Sequence, residues 1–145
     1  MNLFDLKDKT ALITGSTKGI GEAIARQFAN HGAKVVISSR KQDLCEQIKN
    51  DINTENPNSA ISVPCNINQK EQLENLVLET NKQLGDIDIL VCNAAVNPFF
   101  GSSLDIPDDA FDKILNANIK SNHWLCNLVL PQMIKKKDGV IIIIS

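Results

Sequence analysis

The chain has 145 residues, 43% hydrophobic and 22% charged, with a net charge of −2. That is the composition of one globular domain able to bury a core. It offers no basic surface for nucleic acid, and the longest aliphatic run, residues 140–144, is far too short to cross a membrane. Cys45, Cys65, Cys92 and Cys126 contain no C-x-x-C pair. No metal site is therefore expected, and the cysteines read as reduced thiols packed as small apolar residues in a cytoplasmic protein. Residues 1–9 are polar and charged, which argues against a signal peptide.

Residues 1–8 read as a loose lead-in. Residues 10–14, Thr-Ala-Leu-Ile-Thr, have the β-branched, apolar pattern of a buried strand. Gly15, Gly19 and Gly21 come immediately after, and a helix then begins with Ile20, Ile24 and Phe28 on one stripe. A strand, a glycine turn and a helix start form the geometry that binds a dinucleotide pyrophosphate. Glycines let the backbone approach the phosphates, and the helix N-terminus presents unpaired N–H groups to the anion. Gly15, Ser16, Thr17, Lys18, Gly19, Ile20 and Gly21 are thus candidate cofactor-binding residues. A glycine triplet alone also suits a plain strand-turn-helix, so the choice rests on the residues beyond the first helix.

His31-Gly32 ends this helix, with glycine at a plausible C′ position. Residues 34–38 are nearly continuous in apolar character, as parallel strands are. Arg40 stands 19 residues beyond Gly21, at the end of this second strand. An acidic residue there bonds the adenosine ribose of NAD, whereas an arginine accommodates the 2′-phosphate of NADP. Ser39 and Arg40, with Lys18 in the glycine turn, therefore favour NADP over NAD. Two surface cations at a strand end are the plainer alternative.

A helix over residues 41–53 carries Leu44, Ile48 and Ile52 on one face, and residues 55–58 break it. Ile61, Val63 and Cys65 mark a third strand. Asn68 starts the next helix, with Glu71 as a capping-box partner and Leu73, Leu76, Val77 and Leu84 as its apolar face. Gly85 stops it, and residues 87–92 form a fourth strand. Asn93, Ala94 and Ala95 come next. Small residues there let the backbone lie against a flat ring, and the asparagine can hold a tight turn. After a loop, Asp108 and Asp109 open a helix with Phe111, Ile114 and Leu115 as its stripe. A longer helix over 119–136 is expected to bury Leu125, Leu128, Val129 and Met133, with a kink or early end at Pro131. Lys135, Lys136 and Lys137 suit its C-terminal dipole. His31 and His123 lack catalytic partners and read as structural or solvated. Residues 140–144 form a fifth strand. Alternating strands and helices joined by right-handed crossovers predict an α/β Rossmann-type doubly wound parallel sheet of order 3-2-1-4-5. Its ligand crevice lies between strands 1 and 4.

Together these residues resemble the short-chain dehydrogenase/reductase family. Its glycine motif, T-G-x-x-x-G-I-G, is matched by Thr14, Gly15, Gly19, Ile20 and Gly21. Its N-A-G segment appears as Asn93-Ala94-Ala95, and its structural and catalytic asparagine as Asn118. The family's adenine-contacting Asp-Val appears as Asn66-Ile67, which keeps a side-chain acceptor and removes a charge. Residues 93–101 and 36–41 are similar to the NADP-dependent carbonyl/retinal reductase branch, in which Phe99 and Phe100 would either line an apolar substrate mouth or anchor the loop. The resemblance implies hydride transfer between NADPH and a carbonyl or alcohol. For the full-length protein it also implies a small-molecule substrate and a homo-oligomer, while charge and hydropathy speak against nucleic-acid and membrane partners.

The family's acid/base tyrosine and its lysine lie beyond the fifth strand, and this chain contains no tyrosine. Asn118 is implied to help hold a water in the proton relay. Ser145 matches the first of two serines, and the catalytic one would be the next residue. Residues 1–145 therefore read as the N-terminal part of a longer cofactor-binding domain, truncated after strand 5 and inactive alone. A non-catalytic dinucleotide-binding or interaction module is the alternative. A fifth strand apolar on both faces should be interior. Leaving two or three of its side chains in water forgoes roughly 4–8 kcal/mol, comparable with a whole-domain stability of about 5–15 kcal/mol.

Overall fold

The computed structural model describes residues 2–145. Among them, five strands alternate with helices: β1 (Thr10–Thr14), β2 (Lys34–Ser38), β3 (Ala60–Ser62), β4 (Ile89–Cys92) and β5 (Val140–Ile143). The helices are α1 (Gly19–Asn30), α2 (Gln42–Glu55), α3 (Lys70–Leu84), α4 (Asp108–Leu115) and α5 (Ser121–Lys136). Every pairing is parallel and the order is β3-β2-β1-β4-β5, the expected Rossmann-type sheet.

The two-residue period of the strands sorts their side chains onto two cores. Ala11, Ile13, Val35, Ile37, Ile89 and Val91 pack with α1 and α2. Leu12, Val36, Leu90 and Cys92 pack with α3 and α5. Because both faces are covered, the central strands carry no polar alternation, which is why they read as continuous apolar runs.

Several helix faces differ from the sequence expectation. In α1 the buried stripe is Gly21, Ala25 and Ala29, while Ile24 and Phe28 only flank it and Ile20 is 61% exposed. Small side chains bring the helix close to the sheet, so the largest residues are displaced to its rim. In α2, Cys45 takes the inward place expected of Leu44, and the helix runs on to Glu55. The Asn68–Glu71 capping box is not made, since α3 begins at Lys70 with Gln69 as an N-cap that makes no side-chain bond. Instead the Asn66 N–H donates to Gln72 Oε1 at 2.7 Å.

Helix α4 buries none of its residues, and Phe111 and Leu115 are exposed. It does not end before α5. A π-helical turn, Asn116–Lys120, joins the two without a break. Pro131 sits inside α5, which continues to Lys136 and ends at Lys137 with φ 55°. Leu128 is half-buried. Lys136 does more than suit the helix dipole, because its Nζ lies 2.6 Å from Asp88 Oδ1. Asp88 is itself buried and accepts the Thr10 N–H at 2.9 Å through Oδ2.

Candidate functional site

The connections from β1 and β4 leave on opposite faces of the sheet, so their carboxyl ends part. A cavity of about 410 Å³ opens there. The glycine turn forms one wall. Gly15 and Gly19 hold φ of 64° and 58°, a region that disfavours any side chain. A Cβ on Gly15 would stand 2.9 Å from Ala94 Cα, and one on Gly21 would overlap the Gly15 carbonyl oxygen. In front of Gly19 there is open space. Helix α1 starts at this point with Lys18 as N-cap and no side-chain cap. Its first-turn N–H groups are left for an anion.

Thr14 pins this turn to the opposite wall. Its Oγ1 accepts the N–H groups of Asn93 and Ala94, both at 3.0 Å. Asn93 Nδ2 returns the bond, donating to the carbonyls of Thr14 and Gly15 at 3.1 Å. Asn93 therefore holds not a turn of its own loop but the junction between β1 and β4. Ser16 is fully buried. Its Oγ donates to the Ile13 carbonyl and accepts the Ser38 N–H, each at 2.8 Å. Ser16 and Gly21 thus shape the turn from behind, while Gly15, Thr17, Lys18, Gly19 and Ile20 line the cavity.

Ser39 and Arg40 line the cavity at the end of β2. Ser39 Oγ also accepts the Lys41 N–H at 3.3 Å, where α2 begins. Asn66 and Ile67 line it after β3, and Asn66 Oδ1 accepts the Asn68 N–H at 3.1 Å. The acceptor expected to face a ligand is thus shared with the loop itself. Asn93, Ala94 and Ala95 complete the lining. No carboxylate lines this cavity. Among the described residues, Lys18 and Arg40 take part in no ion pair.

Asn118 lies in the π-helical turn and clamps the segment after β4. Its Oδ1 accepts the Val96 N–H at 2.8 Å and its Nδ2 donates to the Val96 carbonyl at 3.0 Å. Phe100 is 100% exposed and anchors nothing, and Phe99 packs beside Gly101. Neither lines the cavity. Burial pushes the Cys65 thiol, in the cavity wall, up to about 11. Burial, reinforced by Cys126, pushes Cys92 up to about 12. At neutral pH both stay protonated and are poor nucleophiles.

Sequence reasoning missed Thr14 as a site residue, although it opens the glycine motif, and missed Asn68 and Val96 in the cavity wall. It also passed over Asp88, whose signal is a carboxylate set between Ile87 and Ile89 at the entry to an apolar strand.

A glycine turn, an uncapped helix start and unpaired cations at the switch point of a parallel sheet define a dinucleotide-binding Rossmann domain. The profile of the family described as short chain dehydrogenase matches residues 9–145. The chain belongs to this family, whose members are oxidoreductases using NAD(H) or NADP(H). It is 44% identical over 140 residues to dehydrogenase/reductase SDR family member 4 of Bos taurus and of Homo sapiens. Each match covers 97% of this chain and 50% of the relative. The chain thus spans about half the length of the curated relatives it matches. A hydroxysteroid dehydrogenase from Escherichia coli superposes with a TM-score of 0.90 at 34% identity, over 98% of this chain and 59% of that one. A 7α-hydroxysteroid dehydrogenase complexed with NADH and 7-oxo glycochenodeoxycholic acid gives 0.91 at 34% identity, over 98% and 55%.

Proposed function

We propose that residues 1–145 are the N-terminal, cofactor-binding part of a longer NADP-linked oxidoreductase acting on a small carbonyl or alcohol. The carrying observation is Arg40 at the end of β2, facing a cavity that it shares with Lys18 and with no carboxylate. The 2′-phosphate would fall to Arg40, Ser39 and Lys18, and the pyrophosphate to Gly15, Thr17, Gly19 and the first turn of α1. Asn66 and Ile67 would meet the adenine. Asn93, Ala94 and Ala95 form the opposite wall, which Thr14 and Asn118 hold in place.

When bound, NADPH supplies a hydride to the carbonyl carbon, and the oxygen takes a proton. With no tyrosine in the chain, the acid would come from residues outside this stretch, as the resemblance implies. Asn118 acts here as a positioning residue, since both ends of its amide hold Val96. The half-buried and buried free thiols suit a reducing compartment such as the cytoplasm, and a homo-oligomer is the expected assembly. A second reading is a non-catalytic NADP-binding module. Ketone reduction by the purified chain would exclude it.

Dissociation constants for NADP⁺ and NAD⁺ test the cofactor assignment. The chain should bind NADP⁺ about tenfold more tightly or better, because a guanidinium meets the extra phosphate. Arg40→Asp should reverse the order. Equal affinities in both proteins would sink the assignment.

A further inference from the structure

Beyond Arg40 the crevice continues into a second cavity of about 500 Å³. Arg40, Lys113 and Lys120 reach it from the end of β2, from α4 and from the π-helical turn. Trp124 and Pro98 give it a flat apolar wall. No carboxylate lines it. Among the described residues, none of its three cations takes part in an ion pair. The Lys120 ammonium rests 5.1 Å from the centroid of the Trp124 ring. Three like charges converging on one concavity repel one another, and a bound anion removes that repulsion.

We propose that this second cavity binds a small organic anion, a carboxylate or phosphate ester carrying a flat apolar group. Lys113 and Lys120 meet the anionic group, and Trp124 and Pro98 meet the apolar one. Arg40 lies on the border with the first cavity. Arg40, Asn68 and Val96 line both cavities, whereas Lys113, Lys120, Trp124 and Pro98 do not line the first. The lysines are exposed, which makes the binding weak and sensitive to salt.

Trp124 is the chain's single tryptophan, so its fluorescence reports directly on the site. The full chain is titrated with benzoate, with phenyl phosphate and with neutral benzamide. Either anion or both should give a saturable change in emission, and the stronger of the two names the preferred headgroup. Benzamide should bind about tenfold more weakly. Lys113→Gln leaves the Lys120–Trp124 contact in place and should weaken anion binding about fivefold to tenfold. Lys135→Gln, at the far end of α5, should not change it. Far-UV circular dichroism checks that both variants fold. Saturating NADP⁺ should leave the anion response in place. Equal responses to benzoate and benzamide, an unchanged response in Lys113→Gln, or loss of the response under NADP⁺ would each overturn the proposal.

Discussion

Gly19 and Gly21 are two residues apart, yet they resist a side chain for different reasons and to different degrees. At Gly19 the space is open and only the positive φ resists. Gly19→Ala should therefore destabilise the chain by about 1–2 kcal/mol, the strain of a left-handed alanine. At Gly21 the added methyl meets the Gly15 carbonyl and Asn93 Nδ2 inside the Thr14–Asn93 junction. Backbone cannot yield easily there, so Gly21→Ala should cost several times more and abolish dinucleotide binding. Urea unfolding of the two variants decides the matter, and equal midpoints would refute it. The positions of these glycines were legible in the sequence, because glycine spacing has few structural solutions. The partners were not. That Asn93 commits its amide to the glycine turn, and Ser16 its hydroxyl to β1 and β2, becomes visible only when β1 lies between β2 and β4.

Among the elements, strand and helix order was readable because apolar runs alternated with helical periods. The inward faces were less so. Hydrophobic size chose Ile20 and Leu44, whereas close approach chose Gly21 and Cys45. The α4–α5 continuity was hidden for another reason. A π-helical turn adds one residue per turn and leaves no glycine or proline to mark it. Asp88 links two elements in a way no local pattern shows, since it joins the start of β1 to the end of α5. Asp88→Ala strands the buried Thr10 N–H and should destabilise the chain by about 1–3 kcal/mol. Asp88→Asn keeps an acceptor and should lose less than half as much. The hydrogen bond to Asp88 raises the Lys136 pKa. Its share of stability is therefore full below the ordinary lysine value of about 10.4 and is lost as pH rises through the higher folded value. Urea midpoints for the parent chain should show this alkaline decline, and those for Asp88→Ala should show less of it.

For residues 2–145 taken by themselves the weak margin is β5. It pairs with β4 alone, and Val140, Ile142 and Ile143 are 50%, 38% and 57% exposed. An apolar edge of this kind recruits other strands. The chain should self-associate as its concentration rises, and Val140→Thr with Ile142→Thr should reduce that association. Sedimentation velocity gives the answer, and a parent chain that stays monomeric throughout would contradict the expectation.

The central strand also sets a timetable. Asn93 reaches Thr14 across 79 positions of chain. At a synthesis rate of about 5–20 residues per second, β1 waits roughly 4–16 s after its own emergence before β4 can seal its second edge. By the end of that interval the strands of a β3-β2-β1 half-sheet have all emerged, while the crevice between β1 and β4 cannot yet exist. The pocket comes into being in one late step, so nothing that binds there can assist the birth of the half-sheet on which it rests.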